Sequence, residues 1–184
     1  MKTIVVILAL VAAVCAGCVP VVPPSQNSSP KVKIEAEAVI SGLNDIDAVT
    51  ATVQFNVVDE ECLPIDYLKG LGGIRVRAHR YESTPVRSVG AGRYKATLYD
   101  DFYKTQRLYF WRKSCSWQVE GVTFEIHKGA ATIRSSTSRD RLTHGSALRY
   151  CTWAPNTLED VCTGVARSGQ GVFTVDILPA KRAM

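Results

Sequence analysis

Histidine is scarce in this chain, methionine scarcer, and none of Cys62, Cys115, Cys151 and Cys162 sits in a C-x-x-C pair, so the first thing the sequence does is narrow its chemistry. Three His occur in 184 residues, at positions 79, 127 and 144. None stands at ligand spacing from another, and no metal site or cofactor is expected. There is no H-E-x-x-H, no G-x-S-x-G elbow, no P-loop and no G-x-G-x-x-G; the nearest run, Gly164 to Gly169, has the wrong spacing. Asp100-Asp101 is an adjacent carboxylate pair, but neighbours on an extended chain point to opposite faces. Asp59-Glu60-Glu61 lacks the spaced oxygen ligands of a calcium loop. Helical periodicity is missing as well: past the amino terminus no window carries an apolar stripe at i, i+3 and i+4. These gaps exclude the common hydrolytic and nucleotide-dependent activities, and the chain reads as a non-enzyme with no small-molecule substrate.

Long apolar runs are absent with one exception. Ile4 to Val14 is eleven apolar residues, short of the roughly 20 that cross a bilayer as a helix. Met1-Lys2-Thr3 precedes it with one positive charge, and the small residues Cys15-Ala16-Gly17-Cys18 follow. That is the layout of a secretory signal peptide. Ala16-Gly17-Cys18 further resembles the lipobox of bacterial lipoproteins, with Cys15 standing where that family usually has an aliphatic residue. The resemblance implies that Cys18 carries a diacylglycerol, that the leader is cut before it, and that the new terminus is acylated. Several acyl chains hold a protein stably where one holds it marginally. Cleavage after Ala16, releasing a soluble protein, is the competing reading. Val19 in place of Asp after the Cys implies, by the same resemblance, the outer membrane of a Gram-negative bacterium. The expected address is therefore exported and lipid-anchored, with the membrane as one partner and nucleic acid as none.

Setting Cys15 and Cys18 aside leaves Cys62, Cys115, Cys151 and Cys162. An even set in an exported domain reads as disulfides, with three possible connectivities. The turn-rich stretch between Cys151 and Cys162 favours a local pair, leaving Cys62–Cys115 to join distant strands. Trp111, Trp117 and Trp153 each lie near such a Cys, and Cys115 and Trp117 share a strand face, so the Trp read as core residues.

Residues 1–18 are thus signal peptide and lipobox, with a signal helix. Residues 19–30 (VPVVPPSQNSSP) hold four of the eight Pro and no charge, and read as an extended, solvated linker. From Lys31 onward the period is two. Ile34, Ala36 and Ala38 alternate with charged residues, and Ala51, Val53, Phe55 and Val57 alternate with Thr, Gln and Asn. Ile74, Val76 and Ala78 alternate with Arg75, Arg77 and His79, and Tyr94, Ala96 and Leu98 with Arg93, Lys95 and Thr97. Further strands fit Leu108–Trp111, Ser116–Ile126, Ala131–Ser135, Ala147–Thr152 and Gly171–Leu178, divided by Gly-rich turns. Residues 31–179 are expected to form one all-β domain, an antiparallel β-sandwich of immunoglobulin-like or transthyretin-like kind, followed by a tail at 180–184. A closed barrel is the alternative. Gly92 to Leu98 (GRYKATL) resembles the G-x-Y-x-A-x-L strand of bacterial immunoglobulin-like and carboxypeptidase-regulatory-like modules. Asp101-Phe102-Tyr103, followed by Cys115 to Val119, is similar to a pattern in small proteobacterial envelope proteins. Both resemblances imply a sandwich.

Charge is divided unevenly. Lys31 to Asp66 holds two Lys against eight acidic residues, and Tyr67 to Pro155 holds sixteen Lys and Arg, mostly Arg, against six acidic ones. Arg pairs bidentately with carboxylate and phosphate. Arg75, Arg77 and His79 on one strand, with Arg93 and Lys95 on another, are the candidate binding surface if those strands are neighbours. Solvated Arg paired with the acidic first third is the plainer alternative. The sequence therefore points to an interaction or structural module with an envelope protein as partner. A binder of anionic envelope polymer, lipopolysaccharide or acidic glycan, through the Arg-rich face is the second reading.

Overall fold

The computed structural model describes residues 22–66, 74–75, 78–108, 112–152, 162–165 and 171–182. They form two antiparallel sheets packed face to face, an all-β sandwich. The six-stranded sheet runs in the order β11 (Cys162–Thr163), β10 (Ala147–Thr152), β12 (Val172–Arg182), β1 (Lys33–Ser41), β7 (Arg93–Tyr99), β6 (Val86–Gly90). The four-stranded sheet runs β5 (His79–Thr84), β2 (Ala48–Val57), β8 (Trp117–Lys128), β9 (Ala131–Ser138). A short β3 (Ile65–Asp66) and β4 (Ile74–Arg75) pair with each other, and one helix, α1 (Arg139–His144), follows β9. Among the described residues the two sheets remain separate and do not close on one another, which replaces the closed-barrel alternative.

The period of two builds the core directly. Ile34, Ala36, Ala38 and Ile40 of β1 face Ala51, Val53, Phe55 and Val57 of β2 through the interior, joined by Phe124 and Ile126 of β8 and Phe173, Val175 and Ile177 of β12. All of these are buried. Two glycines permit close approaches that no side chain would. A Cβ on Gly92 would lie 2.4 Å from the Ile40 carbonyl oxygen, and its φ is +71°. One on Gly121 would lie 2.5 Å from the Thr137 carbonyl oxygen, where β8 bulges against β2 between Gln54 and Phe55.

The cysteines pair Cys62–Cys115 and Cys151–Cys162, the connectivity favoured by their spacing. The first ties the 3-10 turn at Glu60–Cys62 to the entry of β8, and the second joins residues opposite one another on β10 and β11. Two disulfides mark an oxidising, exported compartment. Of the Trp, Trp117 is buried, its ring 5.3 Å from that of Tyr103, while Trp111 and Trp153 lie outside the described residues, as does the leader with Cys18.

Three boundaries differ from the sequence reading. The Pro-rich stretch is extended but not free: from Val22 it lies along the loop after β7. Val22 N–H donates to the Leu108 carbonyl (3.1 Å), Asn27 N–H to that of Phe102 (2.7 Å), and Lys104 N–H to that of Ser25 (2.9 Å). The Asp101 carboxylate accepts from the Lys31 and Val32 N–H groups at 2.8 and 2.9 Å. Pro23, Pro24 and Pro30 have no N–H and interrupt any regular ladder, so N–H groups of the segment donate singly to carbonyl and carboxylate oxygens of this loop. The expected tail at 180–184 is strand as far as Arg182, which registers with Ile34. The expected strand over Ile74–Ala78 is divided: β4 ends at Arg75, and β5 begins at His79 in another sheet.

Candidate functional site

That division decides the fate of the expected cationic surface. Arg75 Nη1 donates to the carbonyls of Glu60 (2.9 Å) and Leu63 (3.2 Å), fastening the 3-10 turn. Arg77 lies outside the described residues. His79 stacks edge-on to Tyr81, with ring centroids 5.5 Å apart, at the start of β5. Arg93 and Lys95 lie on β7, in the other sheet, and both meet Glu37 of β1, Lys95 at 3.5 Å. The five residues therefore do not share one face. Glu37 comes from the acidic first third of the chain, so the plainer alternative holds for Arg93 and Lys95.

The register assembles a different cationic group. On the outer face of the six-stranded sheet Arg87 of β6 stands opposite Lys95 of β7, which stands opposite Glu37. Lys33 is one alternation along β1 from Glu35. Lys33 Nζ lies 2.8 Å from Glu35, and Arg87 lies 3.8 Å from the same oxygen. The hydrogen bond and charge of Lys33 hold the Glu35 carboxyl below its ordinary value. Lys33, Arg87 and Lys95 line a recess of about 260 Å³ with Pro85, Val86 and Thr97. Lys33 and Arg87 gave no signal in the sequence, because only strand order brings them beside Lys95.

A larger cavity lies on the inner side of the same edge. β5 and β6 are consecutive in the chain yet form the edges of different sheets, with Pro85 at the crossing. Proline suits that position because it has no N–H to give to either ladder. Between the sheets at this crossing is a cleft of about 380 Å³. Val53 and Phe55 form one wall, Leu98 and Phe102 the other, and Glu82 and Thr84 of β5 the rim. The cleft thus has an apolar interior and one carboxylate.

Two side-chain bonds hold its shape. Thr84 Oγ1 donates to the Thr97 carbonyl, spanning β5 to β7. The buried Tyr103 hydroxyl donates to Glu82. Burial first, and then the bond to Glu82, push the Tyr103 hydroxyl above its usual range and keep it protonated. Tyr103 sits in an aromatic cluster, with its ring 5.2 Å from Phe55 and 5.1 Å from Phe102, both edge-on.

The carboxylate pair has structural work on both members. Asp100 accepts both arms of the Arg139 guanidinium at 2.6 and 2.9 Å and also the Val119 N–H at 2.9 Å. Asp101 holds the amino-terminal strap as described. Asp59 caps its 3-10 turn through the Glu61 N–H, and Glu61 pairs with Lys113. His144 lies beside Asp140, and His127 between Thr50 and Thr132.

Set against protein-family models, curated proteins and solved structures, the chain matches none. The resemblances of its leader and of Gly92 to Leu98 rest on those residues alone.

Proposed function

We propose that this protein is a non-enzymatic binding module of the bacterial envelope, anchored through lipid on Cys18, whose contact region is the open flank around the β5–β6 crossing. One observation carries the reading: among the described residues, an apolar cleft lies between two sheet edges that pair with no further strand. Concave, mostly apolar sites with a few placed polar groups are where proteins take ligands, and unpaired edges are where they take strands. Supporting it are the leader ending in Ala16-Gly17-Cys18 and two disulfides. The strap, bonded from Val22, leaves only a few residues between the domain and Cys18, so the anchored domain sits close to the bilayer surface.

The test has two arms. Radiolabelled palmitate should enter the wild-type chain and not Cys18→Ser. A photo-crosslinking amino acid at Ser83, on the cleft rim, should yield an envelope adduct in intact cells, and one at Ser136, on the opposite edge strand, should not. Equal adducts from both positions, or none from Ser83, overturn the assignment of the flank. Absence of label overturns the anchor.

A further inference from the structure

The cleft and the cationic recess share Pro85 and Thr97 in their linings, so they adjoin around the edge of β7 just beyond its last pairing with β6. From this juxtaposition we infer that the flank binds a single-chain amphiphile with an anionic headgroup, its chain in the cleft and its head in the recess. The inference rests on the binding-module reading and names the ligand class of that site.

Complementarity is the argument. The cleft is lined by the buried Val53, Phe55 and Leu98 and the half-buried Phe102, an apolar space in which an acyl chain removes its own surface from water. Among the described residues, the lining of the recess holds three cationic side chains and no carboxylate. Arg87 is the least committed: it lies 3.8 Å from Glu35, with 66% of its side chain exposed. Lys95 is 3.5 Å from Glu37, a loose contact that an anion can share. Glu35, held by Lys33, is the charge an incoming headgroup must neighbour, and it limits the gain to Arg87 and Lys95. Glu82, on the rim of the cleft, repels an anionic head and sets the orientation: chain inward, head outward. A neutral chain gains from the cleft alone, and a headgroup without a chain has only surface cations.

The probe is laurate, titrated calorimetrically into the full exported chain carrying Cys18→Ser, which has no acyl chain of its own. Dodecyl maltoside, with a chain of matched length, serves as the neutral amphiphile and acetate as the headgroup alone. Laurate should bind about tenfold or more tighter than dodecyl maltoside, the equivalent of one charge-assisted hydrogen bond, and acetate should give no heat. Arg87→Gln with Lys95→Gln should erase that preference. Amide resonances of Val53, Glu82 and Leu98 should move with laurate and not with acetate. Equal affinity for the two amphiphiles, a preference that survives the double substitution, or shifts elsewhere would each overturn the inference. A protein adduct at Ser83 in cells combined with no laurate binding would leave the binding module standing and remove this ligand.

Discussion

The two flanks of the sandwich are closed by different means. On one, α1 packs against β12 of one sheet and β8 and β9 of the other, burying Leu142. Arg139 forks onto Asp100 and also reaches the Val119 carbonyl at 2.8 Å, and the Cys151–Cys162 disulfide pins β11 to β10. On the other flank, the Thr84 hydroxyl meets the Thr97 carbonyl and the Tyr103 hydroxyl meets Glu82. The first flank is filled by a helix and tied by covalent and ionic bonds. The second is held by single hydroxyl donors and keeps a cavity of about 380 Å³. Ties of unequal strength at the two edges give a domain with one rigid side and a more compliant side around the cleft.

Removing the strong ties should bring the flanks closer in stability. Cys151→Ser with Cys162→Ser should have the largest effect. A pairing across a sequence separation of 11 residues stabilises a fold by about 3 kcal/mol on the chain-entropy account. The urea midpoint should fall accordingly, and hydrogen exchange should quicken in β10 and β11 while β5 stays unchanged. Exchange that quickens equally in β5 would show that the flanks do not respond separately.

Arg139→Met comes next. It leaves the Asp100 carboxylate, 16% exposed, with the Val119 N–H and without its fork. Losing a hydrogen-bonded charge partner costs roughly 3–5 kcal/mol when fully buried, and about 2 kcal/mol is expected here because solvent reaches the quarter-exposed guanidinium. Arg139→Lys should recover less than half, since an ammonium cannot fork. A loss below about 0.5 kcal/mol by urea unfolding would place the strength of this flank in α1 packing alone.

What the sequence disclosed follows the same division. β1, β2, β8 and β12 bury one face and wet the other, so their alternation is plain in the residues and the sandwich with it. β5 reads HRYEST: its core-facing positions are Arg80, Glu82 and Thr84, opposite Phe55, Val53 and Ala51. No period appears because an edge strand facing a cleft is polar on both sides, which also discourages unwanted pairing. The alternation at Ile74 to His79 misleads for a related reason: strand-like residues continue across a point where the chain changes sheets. α1 has one buried apolar residue, too few for a stripe. The cationic recess depends on register across β1, β7 and β6, a long-range property that residue order does not carry. Glu37 shows the limit from the other side: pairing of cations with the acidic first third was legible in the charge pattern, but that Glu37 is the residue meeting Arg93 and Lys95 depends on register.

Tyr103→Phe probes the weaker flank and should have the smallest effect of the three. The ring stays against Phe55 and Trp117, so packing is kept and one hydroxyl donor is lost. A cost of about 1 kcal/mol at neutral pH is expected, with Glu82 turning to water. Alkaline pH sharpens the test. The folded protein holds the Tyr103 proton above its ordinary value of 10.0. The stability gained from that raised affinity is complete below pH 10 and is lost as pH climbs beyond it, because the unfolded chain ionises first. The phenyl ring of the variant has no proton to lose, so the gap between wild type and variant should narrow once the pH passes 10, and β5 should be where exchange first records the change. A constant gap across that range would mean that the hydroxyl leaves the core readily, and that the flank around the cleft is already open in the absence of any ligand.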